Sequence, residues 1–272
     1  MEDIFRRNSC EICGSAYLRE FASIGHRKIA SCEKCGFVFA NEFNPFKISE
    51  TYKKSSAAVF SPEKRAGLEQ DARIRQELLG TISKFREMTI NHRLLNVSAG
   101  SGEFIVALHE QFPSVEISTI EIAEEAASLV KNRIFPDVLI GREAEVCTKI
   151  SRHFDIITVL QTLEHLYNPL QTLMELYRLL KPGGILFVTV PNINSYQVLL
   201  RGIDNNYCFS NEPHLQFYSR KSLEVLLAKA GFRRKKRIIS RKCGNACGAG
   251  AFLQFILRTL CISNELRYAA FK

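Results

Sequence analysis

Two cysteine pairs stand near the start of the chain, Cys10-x2-Cys13 in "CEICG" and Cys32-x2-Cys35 in "CEKCG", with eighteen residues between them. A glycine follows each pair and lets the backbone turn its amides toward the thiolates, so Cys10, Cys13, Cys32 and Cys35 form the tetrahedral sulfur set that zinc prefers. Four sulfur ligands close the coordination sphere, which makes the expected metal structural. The bland alternative is four unrelated buried thiols, and it needs the paired spacing and both glycines to coincide. Cys147, Cys208, Cys243, Cys247 and Cys261 show no comparable spacing and read as packing or loop thiols.

A second stretch, "RLLNVSAGSGE" from Arg93 to Glu103, puts a bare backbone behind a short apolar run. A strand ending at Val97 and a helix starting near Glu103 leave Ser98 to Gly102 as a tight turn, with amides facing the space above a sheet. Gly100 and Gly102 allow a ligand to come close to the backbone. The loop departs from the dinucleotide pattern G-x-G-x-x-G, and Glu103 follows where a pyrophosphate would want no acid, so a zwitterionic ligand fits better. Read alone, the turn has an equally good structural explanation. Glu121, about twenty residues on, closes the next strand where an acid can accept both hydroxyls of a ribose. His165 and His214 are the side chains suited to take a proton near neutral pH; the bland readings are a helix cap for the first and packing for the second.

The elements that must position these residues alternate. Strands are expected at "RLLNV", "VEISTI", "DVLIG", "FDIITVL" and "GILFVTV", with helices at "GEFIVALHEQF", "AEEAASLVKNRI" and "PLQTLMELYRLL". Repeated strand–helix units imply an α/β fold, a doubly wound Rossmann-like parallel sheet whose ligands sit beyond the carboxyl ends of the strands. A helix "SRKSLEVLLAKAGF", a basic strand "RRKKRIISR", an apolar segment "AFLQFILRTLCI" and a closing "ELRYAAFK" complete the chain. The expected organisation is a zinc-ribbon module over residues 1–45, a helical linker or lid over 46–90, and the α/β domain over 91–272.

Length and composition agree with a globular protein: 272 residues, 46% hydrophobic and 24% charged. No apolar run is long enough to span a membrane and no signal-peptide pattern opens the chain, so the expected compartment is the cytoplasm. The net charge of +9 is uneven: residues 91–215 carry 9 basic and 14 acidic groups, whereas 216–272 carry 13 and 2. A basic strand at a sheet edge discourages aggregation. The same charge could attract an anionic acceptor, a lipid surface or RNA.

Leu163-Glu164-His165 after the fourth strand, Lys181 to Gly184, Pro191-Asn192, His214, Tyr218-Ser219 and Ala230-Gly231-Phe232 follow in order. With the glycine loop, they make residues from about Arg93 to Phe232 resemble the class I S-adenosylmethionine-dependent methyltransferases. The likeness is to the branch containing ubiquinone-biosynthesis O-methyltransferases and many small-molecule and sugar methyltransferases, and it implies a seven-stranded sheet. It also implies that Gly100 and Gly102 sit under the methionine part of the cofactor, Glu121 holds the ribose, Glu143 and Ala144 flank the adenine, and Gln161 lies near the sulfonium. It places His165 beside the methyl group and His214 in the loop covering the substrate. The family usually has an acid where this chain has Asn96, and a first glycine where it has Ser98. Gln161 stands where ubiquinone-type enzymes carry the first Glu of a metal-binding Glu-x-x-Glu-His, which points to metal-independent chemistry. A similar ribbon precedes the methyltransferase domain in many enzymes of sugar and surface-polysaccharide pathways. The expected function is methyl transfer to a hydroxyl or activated carbon of a small molecule, such as a sugar, nucleotide sugar or polysaccharide precursor. The competing readings are an RNA methyltransferase gripping nucleic acid with ribbon and tail, and a methyltransferase-like binding protein without turnover.

Overall fold

The apolar runs of the second part of the chain form one sheet, seen in a computed structural model that describes residues 4–51, 79–80, 82–83, 91–100, 102–122, 124, 127–128, 137–203, 207–211, 213–239, 256, 259–260 and 263–272. Most of the helix expected over 123–134, most of the 46–90 linker, Cys243, Cys247, Cys261 and most of the segment 251–262 lie outside these residues. Five parallel strands, β5 (Arg93–Val97), β6 (Glu116–Glu121), β7 (Asp137–Ile140), β8 (Phe154–Leu160) and β9 (Leu180–Pro191), are joined by two antiparallel ones, β11 (Arg234–Arg237) and β12 (Glu265–Phe271). Their spatial order is β11-β12-β9-β8-β5-β6-β7. The sequence reverses direction between β5 and β8, which opens a crevice at the carboxyl ends of these strands. β8 and the body of β9 are buried along almost their whole length, as continuous Ile/Val/Leu/Phe runs in a sheet covered on both faces demand.

β9 is longer than the sequence signals. It takes in the Lys-Pro-Gly-Gly segment, because Leu180 already pairs with Phe154 before the register shifts. A Cβ on Gly184 would lie 2.8 Å from the Lys181 carbonyl oxygen, so only glycine fits this bend. Helices α1 (Glu103–Gln111), α2 (Glu143–Lys149) and α3 (Pro169–Leu179) follow β5, β7 and a 3₁₀ turn of residues 163–165; α2 is not signalled by periodicity. Further on are the short α4 (Tyr196–Arg201) and α5 (Tyr207–Ser210), then α6 (Arg220–Lys229), whose Ser219 and Ser222 form a capping box. No described helix is long and apolar enough to cross a membrane.

The cysteine pairs lie in a second sheet, with β1 (Phe5–Arg6), β2 (Leu18–Ile24), β3 (Arg27–Cys32) and β4 (Val38–Phe43) in the order β1-β4-β3-β2. Gly14 and Gly36 both adopt positive φ, and their amides donate to the carbonyls of Cys10 and Cys32, closing the two knuckles. Cys10 Sγ lies 3.5 Å from Cys35 Sγ, and Cys13 Sγ lies 3.5 Å from Cys32 Sγ. Four sulfurs at a Zn–S distance of about 2.3 Å would be roughly 3.8 Å apart, so the quartet fits a tetrahedral ion. Packing crosses the chain position of residue 45. A strand of the later region, β10 (Gln216–Phe217), pairs antiparallel with β4, and Cys10, Ile12, Cys32, Phe37 and Phe39 share one hydrophobic core with Leu163, Leu166 and Tyr218.

Candidate active site

A cavity of about 910 Å³ lies over the carboxyl ends of β5 and β8. Asn96, Ser98, Gly100, Glu143, Ala144, Gln161 and His165 all line it; Gly102, Glu121 and His214 do not. Residues far apart in the sequence therefore meet in one crevice, at the reversal point where a doubly wound sheet binds its ligand.

The loop floor is held by a neutral hydrogen-bonded rung. Asn96, only 2% exposed, donates its side-chain amide to Thr158 Oγ1 at 2.9 Å and accepts from Thr119 Oγ1 at its own oxygen atoms. Asparagine suits two flanking hydroxyls because it can both donate and accept, which a carboxylate cannot. Ser98, Gly100 and Gly102 have φ of 63°, 54° and 77°, so Ser98 is a side-chain-bearing residue in left-handed backbone. That conformation costs on the order of 1–2 kcal/mol. Its Oγ donates to Glu143 Oε1 at 3.1 Å, and one such bond offsets about 1 kcal/mol. The Gly100 requirement is also conformational, since a Cβ there would meet nothing within 4 Å. Ser98→Gly is therefore expected to leave the melting temperature nearly unchanged, the relieved backbone offsetting the lost bond. Ser98→Val, β-branched and without a donor, is expected to lower stability by about 1–3 kcal/mol in denaturant titration.

Glu121 closes β6 beside the glycine loop. It is buried, its Oε2 accepts from the Gly100 amide at 3.0 Å and its Oε1 from the Ile122 amide at 2.9 Å. In this arrangement it braces the glycine loop from beneath. Gln161 is a second left-handed non-glycine, with φ 51°; its amide donates to the Thr189 carbonyl oxygen and its Nε2 to Glu265 Oε1 at 2.8 Å. Glu265 lines the same cavity and is also bonded by Arg267. The sequence reading missed Glu265. Only the antiparallel course of β12, which puts its first residue beside the carboxyl end of β9, brings this acid to the site.

His165 and His214 pack with ring centroids 4.8 Å apart. Only His165 reaches the cavity. Its Nδ1 lies 3.1 Å from the Pro213 carbonyl oxygen, so this nitrogen carries the proton and Nε2 is left as the basic one. His214 is 1% exposed, with Nδ1 at 2.8 Å from the Cys208 carbonyl oxygen and Nε2 at 2.9 Å from the Asn211 amide nitrogen. It sits behind His165 and not over the cavity. Burial lowers the pKa of His165 to about 4 and that of His214 to about 3, the second also through the neighbouring His165. Glu164, whose two carboxylate oxygens find no side-chain or backbone donor among the described residues, is pushed up to about 8 by burial.

These three side chains bring ligand-type atoms within 4.8 Å of one another. Both ring nitrogens of His214 and one of His165 face protein partners, which makes the cluster a poor ligand set beside the cysteine quartet. Glu164 has a consequence for stability. An acid whose pKa rises on folding stabilises the fold below its unfolded value and loses that contribution as pH climbs through the folded value. Glu164→Gln should therefore raise the melting temperature more at pH 8 than at pH 5, measured by thermal scans of both proteins.

The lining fits S-adenosylmethionine. Gly100 in open left-handed backbone leaves room for close approach, Ile122 and Phe104 offer apolar surface to a base, and Asn96, Glu143, Gln161 and Glu265 offer polar groups to an amino-acid zwitterion and a ribose.

A family described as a methyltransferase domain matches residues 59–234. A ubiquinone biosynthesis O-methyltransferase of Coxiella burnetii is 28% identical over 124 residues, 44% of this chain and 52% of that protein. A malonyl-[acyl-carrier protein] O-methyltransferase of Paenibacillus sp. (strain JDR-2) is 28% identical over 151 residues, 52% of this chain and 55% of that protein. The match thus spans about half the length of these curated relatives. Among solved structures, the plantazolicin methyltransferase BamL, in complex with a triazolic desmethylPZN analog and SAH, superposes with a TM-score of 0.56 at 17% identity, covering 83% of this chain and 97% of that one. The last likeness shows the fold.

Proposed function

Because the chain belongs to the methyltransferase domain family, matched across residues 59–234, we propose that it transfers the methyl group of S-adenosylmethionine to a small-molecule acceptor. The observation that carries this reading is the convergence of Ser98, Gly100, Glu143, Gln161 and His165 on one cavity. The cofactor supplies an electrophilic methyl on a sulfonium, and the chain's residues bind, orient and deprotonate. Asn96, Ser98 and Glu143 would hold the cofactor, and the Gly100 loop would lie under its methionine part. Gln161, fixed by Glu265, would stand near the sulfonium. His165 would take the acceptor's proton at Nε2, a task needed when the nucleophile is a hydroxyl or an acidic carbon. In-line displacement otherwise asks only for alignment, which groups fixed around one crevice would provide.

The relatives named above are, by their names, methyltransferases of ubiquinone biosynthesis, of malonyl-[acyl-carrier protein] and of plantazolicin, and a small-molecule acceptor is the class we infer from them. A sugar-linked acceptor rests only on the resemblance of the ribbon. The departures at Asn96, Ser98 and Gln161, which would favour a binding protein without turnover, each carry local hydrogen bonds that keep the cavity formed. The cysteine quartet would hold structural zinc.

The test is calorimetric titration of zinc-loaded protein with S-adenosylmethionine and S-adenosylhomocysteine. The expected result is micromolar affinity, about −8 kcal/mol. No heat from either ligand with the fold intact would sink the enzymatic reading.

A further inference from the structure

The residue that fixes the loop around His165 belongs to the cysteine module. Arg27 opens β3, the strand whose far end is Cys32, and its side chain crosses to the later region of the chain. It is 2% exposed, its guanidinium donates to the carbonyl oxygens of Phe209, Asn211 and His214, and it lies 5.9 Å from the Phe217 ring centroid. A planar guanidinium can gather three carbonyls in one fixed arrangement, which a flexible ammonium cannot. The gathered segment contains Pro213, the acceptor for His165 Nδ1, and ends at Leu215, whose amide donates to the Glu164 carbonyl oxygen at 2.7 Å.

We propose that Arg27 is a positioning residue for His165, acting through the 209–214 segment, and that the four-cysteine module is thereby part of the transfer machinery. The functional meaning rests on the reading of His165 as proton acceptor; the positioning itself does not. On the opposite side, Arg7 donates to the Tyr167 carbonyl oxygen and Glu11 accepts from the Leu170 amide, so the module also grips the start of α3. Those contacts do not touch the His165 ring and provide a control.

The readout is the tautomer of His165 in zinc-loaded, full-length protein carrying 15N-labelled histidine rings, followed by long-range 1H–15N correlation at pH 7 and assigned with His165→Gln. The wild type should show the proton on Nδ1. Arg27→Met should shift the tautomer ratio toward Nε2–H by roughly five-fold, the scale of one hydrogen bond, with zinc content and S-adenosylhomocysteine affinity kept. Arg27→Lys should give a smaller shift, and it carries the test if Arg27→Met is insoluble. An unchanged ratio in a zinc-loaded, folded Arg27 variant would overturn the proposal, as would an equal shift in Arg7→Met, since docking in general would then explain it. If His165→Gln leaves methyl transfer untouched, the base assignment fails while the tautomer result stands.

Discussion

His165→Gln is expected to lower methyl transfer to a hydroxyl acceptor by roughly 10²- to 10⁴-fold, the usual worth of a positioned base, while S-adenosylhomocysteine binds as before. The separation follows from the proposed roles: of the four residues that line the cavity, His165 would face the acceptor, whereas Asn96, Ser98 and Gly100 would face the cofactor. The measurement is transfer of an isotope-labelled methyl group to an acceptor found by screening small hydroxyl compounds, with calorimetry as the control. Because burial holds the ring near pKa 4, it is neutral through the physiological range. The wild-type rate should therefore show no acid limb near pH 6.5 and should fall only as pH approaches 4. A limb at 6.5, or a variant that keeps its rate, would remove His165 from the mechanism. His214→Asn, behind the first ring, should affect the rate less than His165→Gln does.

Cys32→Ser should abolish stoichiometric zinc in native mass spectrometry and melt the N-terminal sheet. Zinc held by four thiolates contributes on the order of 10–16 kcal/mol of apparent binding energy in small modules near neutral pH, and that energy is folding energy. Cys32 is fully buried in the shared core, and its Sγ meets Cys13 at 3.5 Å. Burial opposes its ionisation, yet the amides of Cys35 and Lys34 and the Cys13 side chain outweigh this and bring the thiol down to about 7. Chelation of the wild type should have the same effect as the substitution, with hydrogen exchange rising over residues 10–43 and 209–217 together. Exchange confined to residues 10–43 would mean that the later segment stands without the module. The Gly100 loop is built on β5 and α1, so it should be protected in either case.

Much of the fold could be read from the sequence because its signals are local. Runs such as "FDIITVL" cannot be satisfied except as strands buried on both faces, and the Cys-x2-Cys-Gly repeats encode their own turn geometry. Ser98 and Gly100 could be placed at the cavity for the same reason, since they follow the predictable strand β5, whereas Glu143 opens a helix that no periodicity signals and came only with the family resemblance. What escaped depends on pairing across long separations. Glu265 enters through an antiparallel strand whose register no local pattern states, and Arg27 reads as an ordinary surface cation until three distant carbonyls surround it. The two histidines looked equivalent in sequence. Their environments separate them, since Cys208 and Asn211 occupy both nitrogens of His214 and only His165 opens to the cavity.

The pairing of β10 with β4 sets an order of events during synthesis. Val38 and Phe39 leave the ribosome long before Gln216 and Phe217, the residues they pair with. At about 5–20 residues per second the interval is on the order of ten to thirty seconds. Through that time the part of the β4 edge that β1 does not cover, at Val38 and Phe39, is an open row of amides and carbonyls, the kind of edge that recruits the wrong partner. A metal ion captured early would hold the nascent hairpin in shape until its last strand arrives, so zinc supply during translation should govern the yield of native protein as well as its stability.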